Sequence, residues 1–381
     1  MFLSFWKPFA KKGLSDMSNF KSLPLAVLLE VTHRCPLKCV YCSNPVQLMD
    51  SKSELNTPTW FAILDEAAKI GVLQVHFSGG EPMARNDIFD LVEHATKLGL
   101  YSNLITSGVL MNAEKLDKFK SIGLSHIQLS FQDLDESGAE WASGYSGGVE
   151  KKRDVARAII AAGIALTLNF VITRQNHSRI DDMLSYALSL GVNRVEIANT
   201  QYYGWGLLNR KFLLPTQEQL NDMTQKIQAW RERCRGRMVI DYVVPDYYAS
   251  KPKACMNGWG QRFINVMPDG SILPCHAAQT IPHLNFPKFP ESSLLDAWLN
   301  SEAFSIYRGS EWLPEPCQSC DRKEIDWGGC RCQALALAGR ADTLDPVCHK
   351  SSEHDFVLDL AKKDSAEVSS QDQLQYRKIY D

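Results

Sequence analysis

The stretch that decides the fold is Cys35-Pro-Leu-Lys-Cys39-Val-Tyr-Cys42, which directly follows an apolar run that reads as a β-strand. Three thiolates in this CxxxCxxC spacing can hold three irons of a 4Fe–4S cluster and leave the fourth iron without a protein ligand. Zinc is the alternative, but structural zinc takes four protein ligands and its familiar cysteine pairs are spaced CxxC. The spacing therefore favours an iron–sulfur cluster with one open iron.

A second motif, Ser78-Gly79-Gly80-Glu81-Pro82, follows the second strand-like run. Its two glycines let the backbone approach a ligand closely, and Glu81 supplies a carboxylate for an ammonium group. Alone, this motif could be a turn. Because it lies one strand–helix unit after CxxxCxxC, it supports a cluster that binds a ligand at its open iron.

The chain around these motifs alternates strand-like and helix-like segments. The predicted strands are Leu25–Val31, Val72–Phe77, Tyr101–Ile105, His126–Phe131, Ala165–Ile172 and Arg194–Ile197. The predicted helices are Pro58–Ile70, Ile88–Leu98, Ala113–Ile122, Lys151–Ala162, Arg179–Leu190 and Gln217–Arg235. The first five helices are each followed by a glycine, the usual left-handed C-terminal cap. Repeated strand–helix units predict parallel strands in an open sheet or a full or partial barrel, with the active site at the carboxyl ends.

Composition and charge narrow the class of protein. The chain has 381 residues and a formal net charge of −3, which gives no reason to expect nucleic acid or an anionic membrane as a partner. Residues 1–6 are apolar, but lysines follow rather than precede them, unlike a signal peptide. We therefore expect a cytoplasmic protein without membrane association. Clustered cysteines in that compartment indicate metal binding rather than disulfides.

A second field of cysteines lies between residues 255 and 348. It reads Cys255-x14-Gly270-x4-Cys275, then Cys317-x2-Cys320-x5-Asp326-x3-Cys330-x-Cys332, and finally Cys348. Seven cysteines and one carboxylate are enough ligands for two complete sites. Zinc is again the alternative, but the neighbouring CxxxCxxC and GGEP motifs favour iron–sulfur clusters.

CxxxCxxC followed by GGEP resembles the radical S-adenosylmethionine (SAM) superfamily over the first two-thirds of the chain. The resemblance implies an α/β fold, a partial (β/α)6 TIM-like barrel, in which SAM chelates the open iron and is cleaved reductively to a 5′-deoxyadenosyl radical. The implied cluster ligands are Cys35, Cys39 and Cys42. The implied SAM contacts are Gly79, Gly80 and Glu81 at the methionine end, Tyr41 near adenine, and Ser107 and Ser130 near the ribose or carboxylate. The alternative for the two serines is that they are ordinary hydroxyls.

The second cysteine field resembles the SPASM extension of peptide-modifying radical SAM enzymes, which carries two auxiliary clusters. The implied ligand sets are Cys255, Cys275, Cys330 and Cys332 for one cluster, and Cys317, Cys320, Asp326 and Cys348 for the other. Two positions depart from the family pattern: Asp326 stands where a third cysteine is usual, and Cys332 is additional. Spacing leaves open this partition and the choice between 2Fe–2S and 4Fe–4S. The expected organisation is a tail (1–22), a radical SAM core (23–237), a SPASM domain (238–350) and a C-terminal helix with a polar tail (351–381).

Two further stretches, Gln128-Leu-Ser-Phe-Gln-Asp133 and Thr200-Gln-Tyr-Tyr-Gly-Trp-Gly206 with Asn209-Arg210, narrow the resemblance. Together with Asp326 they resemble the family of PqqA peptide cyclases of pyrroloquinoline quinone (PQQ) biosynthesis, over about residues 20 to 350. The resemblance implies a C–C crosslink between a glutamate γ-carbon and a tyrosine ring of the precursor peptide PqqA. It also implies the peptide chaperone PqqD and an electron donor such as flavodoxin as partners.

The expected substrate region lies at the carboxyl end of the sixth strand. Its candidate residues are Gln201, Tyr202, Tyr203 and Trp205, with plain packing of an aromatic loop as the alternative; no general base is assigned. Competing functions are another SPASM-type peptide modifier, such as a sulfatase maturase or a thioether-forming enzyme, a non-catalytic iron–sulfur electron carrier, and a zinc-stabilised binding module. Asp326 and the aromatic loop argue against the first, and an electron carrier has no need of an open iron beside GGEP.

Overall fold

The computed structural model describes residues 23–366 and 368–378. The predicted N-terminal tail, residues 1–22, lies outside the described residues. Within the described part of the chain, no helix is both long enough and apolar enough to cross a membrane.

Nine strands form a single sheet. Their bounds are β1 Ala26–Thr32, β2 Gln74–Gly79, β3 Tyr101–Thr106, β4 His126–Phe131, β5 Ala165–Ile172, β6 Arg194–Asn199, β7 Val239–Val243, β8 Phe263–Val266 and β9 Ile272–Leu273. The order is β7-β6-β5-β4-β3-β2-β1-β8-β9, and every neighbouring pair is parallel except β8 and β9. The six predicted strands are confirmed, each starting and ending within two residues of its predicted bounds.

Helices connect these strands. Their bounds are α1 Thr57–Lys69, α2 Ile88–Lys97, α3 Ala113–Ser121, α4 Glu136–Ser143, α5 Gly148–Ala162, α6 Ile180–Ser189, α7 Gly204–Leu208, α8 Arg210–Leu213, α9 Gln217–Arg233, α10 Leu294–Asn300, α11 Glu302–Ser305, α12 Lys323–Asp326, α13 Arg331–Ala338 and α14 His354–Ser365. The five predicted capping glycines all have a left-handed φ, between 72° and 88°. Apolar periodicity did not predict α4, a short helix that begins where Asp135 accepts a hydrogen bond from the Gly138 amide at 2.8 Å.

The main core lies between the sheet and the helices that cover its outer face. Helix α2 shows the reason: Ile88, Leu91, Val92 and Ala95 recur at helical spacing, and all four are buried. Burying a leucine side chain such as that of Leu91 contributes about 1.5–3 kcal/mol. The predicted partial (β/α)6 barrel is confirmed by this arrangement of parallel strands and outer helices.

The sheet is curved, and its concave face is polar. Gln128 on β4 donates a hydrogen bond at 3.2 Å to Glu196 on β6, although β5 lies between the two strands. In a flat sheet, strands two apart are separated by about 9.6 Å, so this contact requires both side chains to point into the concavity. Nearer the amino ends of the strands, His126 hydrogen bonds with Asn103 at 2.6 Å and with Thr167 at 2.9 Å. The strands therefore present polar groups to an interior cleft rather than an apolar barrel core.

The C-terminal part of the chain is joined to both edges of the barrel sheet. Strand β7 pairs with β6 at one edge, while β8 pairs with β1 at the other. The predicted domain boundary between residues 237 and 238 falls just before β7, and the sheet continues across it; the boundary stays a prediction. Helix α14 docks beside α8 through a 2.6 Å ion pair between Arg210 and Asp364.

Candidate functional site

A cavity of about 570 Å³ lies at the carboxyl ends of the strands. Of the residues predicted to bind cofactors or substrate, those that line it are Cys35, Cys39, Tyr41, Cys42, Gly79, Gly80, Ser107, Ser130, Gln201, Tyr202, Tyr203, Cys255, Cys275, Cys330 and Cys332. Predicted residues outside this lining are Glu81, Trp205, Cys317, Cys320, Asp326 and Cys348. The cavity thus joins the CxxxCxxC motif to four cysteines that follow it by more than two hundred positions.

The loop that carries CxxxCxxC, residues 33–44 and here called the cluster loop, is fixed by its neighbours. The amides of Lys38 and Val40 donate hydrogen bonds at 2.7 and 3.0 Å to carbonyls at the end of α4. The side chain of Asn209, which is fully buried, donates to the Val40 carbonyl at 2.7 Å. The three cysteines are therefore presented on a supported loop rather than on a free one.

Burial sets the protonation of the three motif thiols. It raises the pKa of Cys35 to about 12, and it also raises the pKa of Cys39 and of Cys42. Thiols with raised pKa values stay protonated at neutral pH, and iron binding displaces their protons because the metal ligand is the thiolate. Three half-buried thiols with raised pKa values fit a cluster better than they fit a reactive nucleophile.

The glycine pair of GGEP brings two backbone segments into close contact. Gly79 has a φ of +123°, and a Cβ atom on it would lie 2.2 Å from the Thr32 carbonyl oxygen. Gly80 donates its amide to that oxygen at 2.6 Å, and a Cβ atom there would lie 2.3 Å from the Arg34 carbonyl oxygen. The glycines therefore seat the cluster loop against the end of β2, in addition to lining the cavity.

Glu81 has no exposed surface, and its carboxylate is fully engaged. One oxygen accepts hydrogen bonds from the Thr106 hydroxyl at 2.8 Å and the Met83 amide at 3.1 Å. The other accepts from the amide of Ser107 at 2.8 Å and from its hydroxyl at 2.5 Å. A carboxylate offers about four acceptor positions, and all of them are used here. Glu81 thus links the GGEP turn to the end of β3.

Several polar groups at this site were not predicted from the sequence, among them Asn169 and Lys152. Asn169 on β5 lies in register with Ser130 on β4 and Glu196 on β6, and all three line the cavity. Lys152 on α5 is buried and donates to the Ser130 carbonyl at 3.0 Å and to the Gln132 side chain. Burial lowers the pKa of Lys152 to about 8, against an opposing effect of Cys39 and Glu81. The sequence signal for the buried Lys152 is a lysine within the otherwise apolar face of α5.

One set of C-terminal cysteines faces the CxxxCxxC motif across the cavity. The Cys255 and Cys332 thiols hydrogen bond to the sulfur of Cys330; these bonds lower the pKa of Cys330 and raise those of its two partners. Cys275 lies close enough to raise the pKa of both partners further. These are the four residues that the sequence assigned to one auxiliary cluster.

The other predicted set lies farther from the cavity. Burial raises the pKa of Cys317 to about 11, with added contributions from Cys348, Asp326 and Cys320, so the four groups are neighbours. Asp326 is buried and accepts hydrogen bonds from the Gly328 amide at 3.2 Å and from Arg322 at 3.3 Å. Asp326 thus lies among the cysteines, as the second predicted ligand set requires.

The aromatic loop after β6 is divided between the cavity and the core. Tyr203 lines the cavity, and its ring packs edge-on against His276 at a centroid distance of 5.5 Å. Its buried hydroxyl has no hydrogen-bond partner among the described residues. Trp205 is buried outside the cavity lining, so its position matches the packing alternative.

In the part of the chain that the structure describes, no group of three or more His, Cys, Asp or Glu side chains is placed to hold one metal ion. Seven of the predicted cysteine ligands, Cys35, Cys39, Cys42, Cys255, Cys275, Cys330 and Cys332, line one cavity. In an iron–sulfur cluster each iron takes its own thiolate, whereas the ligands of structural zinc all bind one atom.

The fold and the site define a class of protein, radical SAM enzymes with a SPASM domain. Residues 29–187 match the profile of the Radical SAM superfamily, and residues 255–321 match that of the SPASM iron–sulfur cluster-binding domain. These domains imply SAM and iron–sulfur clusters as cofactors. A PqqA peptide cyclase from Gluconobacter oxydans is 56% identical over 88% of this chain and 93% of its own length. One from Xanthomonas campestris is 53% identical over 90% of this chain and 91% of its own length. The chain belongs to the PqqA peptide cyclase family.

Solved structures share the fold. Streptococcus suis SuiB bound to S-adenosylmethionine aligns with a TM-score of 0.69 and 20% identity, over 87% of this chain and 79% of SuiB. SuiB bound to its precursor peptide SuiA also gives 0.69, at 20% identity, over 87% of this chain and 77% of SuiB. The structure of anSMEcpe with bound AdoMet gives 0.62 and 17% identity, over 89% of this chain and all (100%) of that chain. At these identities the likeness concerns the fold.

Proposed function

We propose that this enzyme forms a carbon–carbon bond between a glutamate γ-carbon and a tyrosine ring of the peptide PqqA, an early step of PQQ biosynthesis. The observation that carries the proposal is the single cavity that joins the CxxxCxxC motif, the aromatic loop and four SPASM-region cysteines. Membership of the PqqA peptide cyclase family supports the substrate. A peptide crosslink needs a radical initiator, a substrate pocket and an electron acceptor in reach of one another, and one cavity provides all three.

In this proposal Cys35, Cys39 and Cys42 hold a 4Fe–4S cluster. The bound cluster and SAM supply a 5′-deoxyadenosyl radical that abstracts hydrogen from carbon. The chain's own residues orient SAM and exclude water from it. Gly79 and Gly80 form the backbone wall at the methionine end. Glu81 holds Ser107 on the cavity wall, and its carboxylate would accept the SAM ammonium only where the Ser107 hydroxyl turned away from it.

The remaining SAM contacts come from the cavity's other walls. Tyr41 lies on the cluster loop and would supply a ring surface for adenine, while Ser130 and its register partner Asn169 line the cavity and would contact the ribose or the carboxylate. Lys152 on α5 donates a hydrogen bond to the Ser130 carbonyl and places a buried cation beside that strand. Tyr41, Ser130 and Asn169 lie on a supported loop and on strands, which suits a cofactor that must be held in one orientation.

The substrate peptide would occupy the side of the cavity lined by Gln201, Tyr202 and Tyr203. Glu–Tyr bond formation removes one hydrogen from the glutamate γ-carbon and one from the ring, the latter as a proton and an electron. The unpartnered buried hydroxyl of Tyr203 offers a hydrogen bond to the peptide. We assign the auxiliary cluster of Cys255, Cys275, Cys330 and Cys332 as the acceptor of that electron because these cysteines line the same cavity.

The second auxiliary cluster would be held by Cys317, Cys320, Asp326 and Cys348, none of which lines the cavity. This position suits electron exit toward an external carrier such as flavodoxin. PqqD would deliver the peptide, and the cytoplasm would supply both partners.

The test is one anaerobic reaction of reconstituted enzyme with SAM, dithionite, PqqD and PqqA deuterated at its glutamate γ-carbons. We expect deuterium in 5′-deoxyadenosine and a crosslinked peptide that fragmentation assigns to a Glu–Tyr pair. Cys42→Ala is the control that removes one cluster ligand and should give no deoxyadenosine. Deoxyadenosine without deuterium, accompanied by unchanged peptide, would contradict the proposed substrate while leaving the radical SAM class intact.

A further inference from the structure

The C-terminal segment after α14 returns to the cluster loop. Gln375 and Asn209 exchange two hydrogen bonds: the Gln375 amide donates to the Asn209 side chain at 2.8 Å, and that side chain donates to the Gln375 carbonyl at 2.7 Å. The same Asn209 amide group also donates to the Val40 carbonyl within CxxxCxxC. One buried side chain therefore ties the C-terminal segment and the cluster loop together.

Two further contacts fix this segment. Lys211 forms a 2.6 Å ion pair with Asp372. The Tyr376 hydroxyl donates to the Trp141 carbonyl at 3.1 Å, on the helix whose end supports the cluster loop. Several independent contacts at successive positions indicate a docked segment rather than a loosely associated one.

The next residue, Arg377, lies against the cluster loop, where its amide donates a hydrogen bond to the Lys38 carbonyl at 3.3 Å. Its side chain is almost fully buried, at 1% exposure, and it lines the cavity shared with the cluster motif. The guanidinium donates to the His33 carbonyl and, at 3.0 Å, to the Lys378 carbonyl. Its Nε has no hydrogen-bond partner among the described residues. A buried guanidinium with an unused donor is costly unless a negative charge lies close to it.

Arg377 lines the same cavity as Cys35, Cys39 and Cys42, which would be thiolates once they bind iron. Burial raises the pKa of each of the three thiols, the Glu81 carboxylate raises the pKa of Cys35 further, and the Arg377 charge acts against these shifts. Lys152 is the other buried cation that acts on this group, from the side of Cys39. Three thiolates carry excess negative charge, and one-electron reduction of a cluster adds more. A permanent cation beside them stabilises the reduced state more than the oxidised one.

We propose that Arg377 is a positioning residue of the SAM-cluster site: the C-terminal segment places its guanidinium against the cluster loop, in the cavity that the motif cysteines line, where it would balance the thiolate charge and make the cluster easier to reduce. The inference rests on the proposed cluster at Cys35, Cys39 and Cys42. It extends that function by assigning Arg377, near the end of the described residues, a role at the radical-generating centre.

The test compares Arg377→Gln and Arg377→Lys with Lys378→Gln, a neighbouring control that removes an exposed charge from the same segment. Full-length proteins are reconstituted anaerobically, and iron, sulfide and the EPR signal that responds to added SAM are measured during a redox titration. For Arg377→Gln we expect a lower midpoint potential, seen as a roughly tenfold lower ratio of reduced to oxidised cluster at a fixed potential. Arg377→Lys should lie between it and wild type, and Lys378→Gln should match wild type.

Each other outcome has a definite meaning. An Arg377→Gln protein whose SAM-responsive signal titrates like wild type would overturn the inference while leaving the proposed cluster in place. If Arg377→Gln fails to assemble the cluster but retains its auxiliary clusters, Arg377→Lys decides: rescue by lysine supports a charge role, and no rescue contradicts it. The absence of any SAM-responsive signal in the wild-type protein would contradict the proposed function itself.

Discussion

Glu81 and Ser107 are joined by two hydrogen bonds to a single carboxylate oxygen, one from the Ser107 amide at 2.8 Å and one from its hydroxyl at 2.5 Å. This pair couples the GGEP turn after β2 to the end of β3. The orientation of a predicted SAM contact on one strand therefore depends on a carboxylate from the neighbouring strand.

Replacing this carboxylate should damage SAM binding. In Glu81→Gln the amide can accept only at its oxygen, so at least one buried donor among Thr106, Met83 and Ser107 loses its partner, at a cost of about 1–3 kcal/mol. We expect at least roughly tenfold weaker SAM binding, measured by equilibrium dialysis with the anaerobic enzyme. The matched control is Glu114→Gln, at an exposed position on α3. Wild-type affinity in Glu81→Gln would show that the carboxylate network does not shape the SAM site.

The close approach at Gly80 gives a second prediction. In Gly80→Ala the new Cβ would meet the Arg34 and His33 carbonyl oxygens at 2.3 and 2.7 Å, and both belong to backbone that cannot simply rotate away. The cluster loop must shift, so we expect loss of SAM cleavage and of the iron held at CxxxCxxC. Deoxyadenosine yield and iron content measure the two effects.

Gly191→Ala is the control for this substitution. Gly191 has a φ of +72°, and no described atom lies within 4 Å of an added Cβ. Alanine there should cost about 1 kcal/mol of stability through its left-handed backbone while leaving deoxyadenosine formation unchanged. If both variants behaved alike, general backbone strain rather than contact with the cluster loop would explain the Gly80 effect.

Asp326 gives a third prediction, at the second auxiliary site. A carboxylate is a harder and weaker electron donor to iron than a thiolate. Asp326→Cys should therefore keep the cluster but lower its reduction potential and change its EPR spectrum, because thiolate stabilises the oxidised state. Asp342→Cys, which adds an exposed thiol elsewhere in the same region, is the control. An unchanged spectrum and potential in Asp326→Cys would mean that Asp326 is not a ligand.

The half-buried imidazole of His126, at the amino end of β4, predicts that folding stability depends on pH. Burial, helped by the charge of His76, lowers its pKa from 6.5 to about 4. Between those values the unfolded chain binds the proton more readily than the folded one, so folding stability should fall as pH drops from 6.5 toward 4. In His126→Gln this loss should be smaller, measured as the change in melting temperature between pH 7 and pH 5. An equal loss in both proteins would exclude His126 as the sensitive group.

Local sequence signals were sufficient for the fold and for most of the candidate ligands. Each strand and its following helix carries its own apolar period and capping glycine, so the strands could be predicted one unit at a time. The CxxxCxxC cysteines could be predicted for the same reason, because ligands of one cluster that lie within a single loop have a fixed spacing. Helix α4 escaped prediction because eight residues with a weak apolar pattern give too little periodicity.

The sequence did not predict which groups contact the candidate ligands. Glu81 was predicted to face SAM, yet its carboxylate is held by Thr106 and Ser107 from the next strand. The apolar pattern around Lys152 on α5 indicates that this lysine is buried but not what it contacts, and Arg377 comes from a segment predicted only as a polar tail. Arg377 and His33, which it contacts, are separated by 344 positions along the chain.

The sequence by itself therefore determined the class of the enzyme, the order of its strands along the chain and the CxxxCxxC and GGEP motifs, because each of these depends on patterns within a few turns of chain. Only the tertiary structure decided which charges and hydrogen bonds surround those residues. Buried charge must be balanced within a few ångströms whatever its distance along the chain, and packing alone selects which distant residue arrives there.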